Sequence, residues 1–215
     1  MEIIGKTAEE VWKKMLKAVM GNGQGFVDKN QRNCKEVLNL IATIETTKEI
    51  TRPMEILSSF KKWVYPSVEE LRSCMLEKED VPGYYYHYGS RAFDYNGIDQ
   101  INDYIIPLLR KNPNSKRAIL VFYGPEKDTL PLKKETPGMV MMNFNLRNKK
   151  LNITTVIRSN NLFFGWPGNI VQTYILASYV SKELNIPLGN INTISISAHV
   201  FEDQFEDIKK VLGEN

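Results

Sequence analysis

Two runs of alternating polarity, Met139 to Leu146 and Leu151 to Arg158, flank the polar turn Arg147-Asn148-Lys149-Lys150. Side chains on a strand point alternately to its two faces, so this pattern predicts an antiparallel hairpin. In the second arm Leu151, Ile153, Thr155 and Ile157 fall on one face. Asn152, Thr154, Val156 and Arg158 fall on the other, so Arg158 closes a strand on its more polar side.

The remaining segments surround this hairpin with both kinds of element. Ala8 to Met20 reads as a helix with an apolar stripe at Val11 or Trp12, Met15 and Val19, and Gly21 as its stop. The run GNGQG marks a loop, and Lys35 to Glu45 reads as a buried strand. Pro66 and Ser67 announce a short helix near Ser67 to Met75. Ile98 to Arg110 carries apolar residues at helical spacing, with Pro107 expected to kink or shorten its last turn. Lys111 to Lys116 is a turn and Arg117 to Gly124 a strand. After the loop NNLFFGWPG a long helix is expected from about Asn169 to Leu184. An alternating strand, Thr193 to Phe201, and a short amphipathic helix, Asp203 to Leu212, complete the chain. Strands that follow one another without intervening helices point to an α+β fold, a layered mixed sheet with helices. The absence of repeats and linkers over 1–215 predicts one domain.

Composition excludes more than it assigns. A net charge of +3 is too mild to argue for nucleic acid and suits a small anionic ligand. No apolar run reaches the ~18 residues of a membrane span, and the N-terminus lacks the pattern of a secretion signal. Cys34 and Cys74 make no metal-type spacing, and with two histidines no metal site is expected. Two free thiols suit a cytoplasmic protein.

Individual residues carry ambiguous chemistry. Arg158-Ser159 at a strand end can grip an oxyanion, or Arg158 can be a surface arginine in an ion pair. Asn169 stands where a helix is expected to start and can be its N-cap. Its amide can equally offer a donor and an acceptor to a pyrimidine edge. His199 is placed by alternation on one face with Ser195, Ser197 and Phe201, and a lone histidine there is ordinarily structural.

Order and spacing are more specific. Ile98-Asp99-Gln100-Ile101, Asn112-Pro113-Asn114-Ser115-Lys116-Arg117, Thr136-Pro137-Gly138, Arg158-Ser159-Asn160-Asn161, Gly165-Trp166-Pro167-Gly168-Asn169 and His199-Val200-Phe201 follow one another. This series resembles the thymidylate synthase family, and Tyr88-Gly89-Ser90-Arg91 is loosely similar to an upstream motif of that family. The likeness spans Gly83 to Phe201 and leans toward the short archaeal and nucleoside-hydroxymethylase branches. It implies that Arg158 and Ser159 bind a nucleotide 5′-phosphate, that Asn169 reads the base and supports its enolate oxygen, and that His199 reaches the sugar. It further implies a homodimer in which Lys116 and Arg117 cross to the partner's phosphate. Arg32 is a further phosphate candidate, and 5,10-methylenetetrahydrofolate is the cofactor the family uses.

The chain departs from that pattern at the position that matters most to the chemistry. The family adds a cysteine thiolate to the pyrimidine ring, and here the matching position is Gly138. Asn161 replaces the aspartate that holds the folate ring, and Phe201 replaces a tyrosine. The catalytic glutamate has two candidates, Glu69 and Glu70. Three readings follow. The first is a nucleotide-binding enzyme diverged from C5 one-carbon transfer, and the second a non-catalytic nucleotide-binding relative. The third is an active C5 methyl- or hydroxymethyltransferase whose cysteine was replaced or lies elsewhere. An amide at 169 suits uracil better than cytosine.

Overall fold

The computed structural model describes residues 1–79, 87–129 and 135–214. Gly83, where the family likeness begins, lies outside the described residues. In chain order the elements are β1 (Glu2–Gly5), α1 (Ala8–Asn22), β2 (Gln24–Val27), β3 (Asn33–Ile44), α2 (Arg52–Ser58), α3 (Val68–Leu76) and α4 (Tyr88–Phe93). A π-helical turn (Gln100–Ile105) leads into α5 (Ile106–Lys111), followed by β4 (Ile119–Val121), α6 (Pro125–Asp128), β5 (Met139–Arg147) and β6 (Lys150–Asn161). Then come α7 (Gly165–Leu184), β7 (Leu188–Phe201), a 3-10 turn (Glu202–Gln204) and α8 (Phe205–Leu212).

The strands form one seven-stranded mixed sheet in the order β1-β3-β7-β6-β5-β4, with β2 also paired to β3. The fold is α+β. The hairpin sits inside this sheet, with Arg147 opposite Lys150. Its turn is two residues, Asn148 and Lys149, both at positive φ (52° and 59°), the geometry whose twist matches the flanking strands. Leu151, Ile153, Thr155 and Ile157 are fully buried, whereas Arg158 is exposed. Helix α7 lies over this face. Thr173 and Thr155 share a hydrogen bond of 3.2 Å, and Trp166 Nε1 donates to Thr193 Oγ1 at 3.1 Å. Buried apolar side chains of this size stabilise by about 1.5–3 kcal/mol each, so α7 and the β5–β6–β7 ladder form the firmest part of the molecule.

Several expectations are corrected. Helix α7 begins at Gly165, four residues before Asn169. Pro167 is tolerated in the first turn, where its missing N–H has no partner to lose. Part of the GNGQG loop pairs as β2 against β3, and α1 runs through Gly21 to a cap at Gly23. The strand in 35–45 is confirmed, but it is open on one face, where Ile41 is 38% exposed. Ile98 is exposed and lies outside its expected helix, because Asp99 caps the π turn by accepting from Ile101 N and Asn102 N. Pro107 stands at the start of α5, where the wide π turn gives way to the α-helix. The strand in 117–124 shrinks to Ile119–Val121, since Phe122 N and Tyr123 N both turn to Val140 O.

On the face of the sheet away from α7, the register lines up one transverse apolar row. Ile41 pairs with Ile194, Ile194 with Val156, Val156 with Met141, and Met141 with Val121. The row two residues along is mostly polar: Thr43, Asn192, Thr154 and Asn143. At the outer edge, the Gln100 amide donates to Val121 O at 2.8 Å and accepts from Val121 N at 3.0 Å, occupying that strand's free backbone groups.

Candidate active site

Neighbouring strands bring Arg158 and Gly138 together. Arg158 N donates to Gly138 O at 3.0 Å. The Arg158 guanidinium donates to Pro137 O at 3.0 Å and Thr136 O at 2.9 Å. Carbonyl partners orient the group without neutralising it, and among the described residues Arg158 has no carboxylate partner. Ser159 is exposed beside it.

Glycine at 138 is not demanded by the fold. A Cβ there would meet Tyr88 Oη at 3.7 Å and Ser159 O at 3.9 Å, which are ordinary contacts, and the backbone is not left-handed. Tyr88 Oη accepts from Met139 N at 3.0 Å, which fixes the tyrosine over this position.

The asparagines divide their work differently from the sequence reading. Asn161 Oδ1 accepts from Phe163 N at 3.1 Å and Phe164 N at 3.0 Å in the turn that precedes α7, and α7 starts at Gly165 without a side-chain cap, so Asn169 is not its N-cap. Asn169 lies one turn inside α7. Its Nδ2 donates to Asn160 Oδ1 at 3.2 Å, and Asn160 Nδ2 donates to the buried Ser195 Oγ at 2.8 Å. The amide of Asn169 is thereby held in place with its oxygen left over. Close approach explains Gly168: a Cβ there would stand 2.8 Å from Tyr65 Oη, which donates to Phe164 O at 2.8 Å. Burial pushes the Tyr65 hydroxyl well above the usual range, so it remains a donor.

His199 pairs with Asn161 across β6 and β7. It is 8% exposed, its Nδ1 lies 3.3 Å from Ser197 Oγ, and Ser197 in turn donates to Glu36. Burial holds the His199 imidazole below the ordinary histidine range, against the opposing pull of Ser197 and Glu36. Phe201 stacks edge-on against His199 at 5.1 Å, and the Arg32 guanidinium lies 3.8 Å from the Phe201 ring centre. Arg32 is also paired with Asp28 at 2.7 Å, so an anion there would compete with a carboxylate.

Lys116 and Arg117 are exposed and stand apart from Arg158. Ile119 pairs with Asn143, which puts Arg117 level with Asn145. Asn145 and Gly138 are seven residues apart on extended chain, about 24 Å. The two basic groups therefore occupy opposite ends of β5.

A cleft of about 480 Å³ is lined by Pro66, Glu69, Glu70, Leu71, Ser73, Cys74, His87 and Gln172. The two glutamates separate cleanly. Glu70 closes the capping box of α3, accepting from Ser67 N at 2.7 Å and Ser67 Oγ at 2.9 Å, which keeps its carboxyl below the usual range. Glu69 makes no such bond among the described residues and is the carboxylate left to the cleft. Gln172 Nε2 donates to Cys74 Sγ at 3.5 Å, and Cys74 also takes a hydrogen bond from the Tyr88 main chain. Burial pushes the Cys74 thiol up, away from a reactive thiolate. Cys74 sits at the main-chain end of Tyr88 and Gly138 at its hydroxyl end, so the length of the tyrosine separates them. His87, Cys74 and Gln172 were missed as site residues. The usable signals were the step of three from Asn169 to Gln172 along one helix face and the position of His87 directly before Tyr88-Gly89.

A family model described as thymidylate synthase matches residues 31–215. A protein named "Putative thymidylate synthase" from Methanosarcina barkeri is 30% identical over 208 residues, covering 96% of this chain and 92% of its own length. One of the same name from Methanothermobacter thermautotrophicus is 30% identical over 210 residues, covering 94% and 93%. The deoxyuridylate hydroxymethyltransferase of Bacillus phage SP01 is 32% identical over 130 residues, 57% of this chain and 34% of that protein. With the hairpin, the Arg158–Gly138 pairing and the asparagine network in place, these matches mean that the chain belongs to the thymidylate synthase family.

Proposed function

We propose that this protein binds a pyrimidine nucleoside monophosphate and acts on it by a route diverged from C5 one-carbon transfer. The observation that carries this is the pairing of Arg158 with Gly138 across neighbouring strands. Arg158, Ser159 and the Asn160–Asn169 pair are held ready, while the nucleophile's place is a glycine with room for a side chain. In this reading Arg158 and Ser159 take the phosphate, Asn169 the base, and His199 the sugar. The cleft carries Glu69, Glu70 and Gln172 on a mainly apolar lining.

The folate expectation fits less well. The oxygen of Asn161 is taken up by the Phe163 and Phe164 amides, so it has neither the charge nor the free acceptor that a folate ring would need at this place.

A homodimer is part of the proposal. The apolar row through Ile41, Ile194, Val156, Met141 and Val121 offers a self-complementary face. In this reading the exposed Lys116 and Arg117 serve a partner's phosphate. A second reading, a nucleotide-binding relative without catalysis, is favoured by Gly138 and Asn161 together.

The test is a thermal-shift titration with dUMP, UMP, dCMP and CMP, with Arg158→Ala as control. A ligand at ~100 times its dissociation constant stabilises by about 2.7 kcal/mol. Stabilisation by one nucleotide, lost in Arg158→Ala, supports the site. No shift with any of the four ends the nucleotide reading. Intact mass after 5-fluoro-dUMP and methylenetetrahydrofolate addresses the third reading, and an unchanged mass rejects a working thiol.

A further inference from the structure

We infer that His87 is a ligand-contacting residue of the cleft, pairing through its imidazole with the nucleotide bound beside Gly138. This rests on the nucleotide reading above and adds to it a residue that neither the motif order nor the family likeness singled out.

The side chain is buried at 2% exposure, yet neither Nδ1 nor Nε2 has a hydrogen-bond partner among the described residues. Unpaired buried polar atoms cost stability and are uncommon in native proteins, so each one requires a reason. The main chain supplies none. His87 occupies the N-cap of α4, where serine or aspartate would bond the first-turn amides, and its side chain caps nothing. Its carbonyl is satisfied, accepting from Arg91 N at 3.3 Å and Ser90 Oγ at 3.0 Å, so the backbone is fixed and only the ring is left over. The ring lines the cleft with Glu69, Cys74 and Gln172. The next residue, Tyr88, reaches Gly138 through its hydroxyl. An imidazole offers one donor and one acceptor, and Gln172 offers an amide. Together they suit the edge of a heterocyclic ring that alternates donors and acceptors.

The experiment uses the full chain with dUMP, UMP, dCMP and CMP as probes. The chain has two histidines, so its imidazole nitrogen NMR spectrum is simple, and the His87→Leu spectrum assigns it. The expected result has three parts. The His87 ring signals move on adding the nucleotide that binds. His87→Leu weakens that nucleotide at least tenfold, with His87→Asn in between. The melting temperature of free His87→Leu is equal to or above that of the wild type, because a group held at a cost has been removed. A lower melting temperature with unchanged affinity would make His87 a structural residue and overturn the inference. Arg158-dependent binding that leaves the His87 signals still would also overturn it while sparing the nucleotide reading. If no nucleotide binds the wild type, the nucleotide reading falls. The melting temperature of free His87→Leu then decides alone: unchanged or raised keeps the ring as a contact for another ligand, and lowered assigns it to the fold.

Discussion

At the scale of single residues, position 138 separates scaffold from chemistry. Because a Cβ at Gly138 meets only ordinary contacts, Gly138→Cys is expected to fold with a stability within about 0.5 kcal/mol of the parent, as surface-type changes do. Chemical denaturation checks this. The new thiol would stand near the Tyr88 hydroxyl and the Ser159 carbonyl, and alkylation rates against pH would report its ionisation. Arg158→Ala is expected to abolish nucleotide-induced stabilisation. Its effect on the free protein should be small, about 1 kcal/mol, since the lost bonds run to carbonyls at a solvent-facing site. The identities of these residues were readable from motif order. Their partners were not. Spacing placed Asn169 at a helix start, and the structure starts the helix four residues earlier, because a proline and two glycines leave the true first turn without a recognisable apolar period.

At the scale of elements, two attachments hold the site's walls. Helix α4, which carries Tyr88, is tied to α6 by a buried ion pair and to the residue after β4 by a hydrogen bond. Arg91 reaches Asp128 at 2.6 and 2.9 Å and Phe122 O at 2.7 Å, and Asp128 also accepts from Gly124 N at 2.9 Å. Breaking such a pair from one side leaves an uncompensated buried charge. Asp128→Ala is therefore expected to cost about 3–5 kcal/mol in urea unfolding. The second attachment is β7 with His199. Burial lowers this imidazole's pKa in the folded state, so the folded protein binds fewer protons there than the unfolded chain. The contribution is fully present above about pH 6.5 and is lost as the pH falls toward the folded value. Urea midpoints at pH 7.5 and 5.5 should therefore differ less in His199→Gln than in the wild type. The hairpin was legible from its alternating polarity, and α7 from its long, largely apolar run. Strands β1 and β2, and helix α4, were not. The two strands are four residues each and exist only through pairing with β3, a long-range contact that periodicity does not carry.

At the scale of the whole molecule, the open face of the sheet sets how copies of the chain would meet. Ile196 is 44% exposed on that face. Ile196→Lys should leave unfolding stability nearly unchanged while converting a dimer to a monomer in sedimentation velocity. It should also weaken nucleotide binding, since Lys116 and Arg117 would no longer reach a partner's phosphate. A sedimentation coefficient identical in wild type and variant would reject this interface. The sequence pattern showed alternation in the hairpin but not the shared row, because cross-strand neighbours are set by register, which no single segment encodes.

The Gln100 amide against Val121 has a consequence for the limits of growth. A sheet can recruit further chains at its rim or through its faces, and rim-to-rim addition has no natural end. Here one side chain imitates the next strand and closes that rim, as an end-stop closes a zip. Association on this side is thereby left to the broad surfaces, where a two-fold arrangement uses up the sticky area and halts. At this edge one glutamine stands where a further strand would pair, while β1 ends the sheet on the other side.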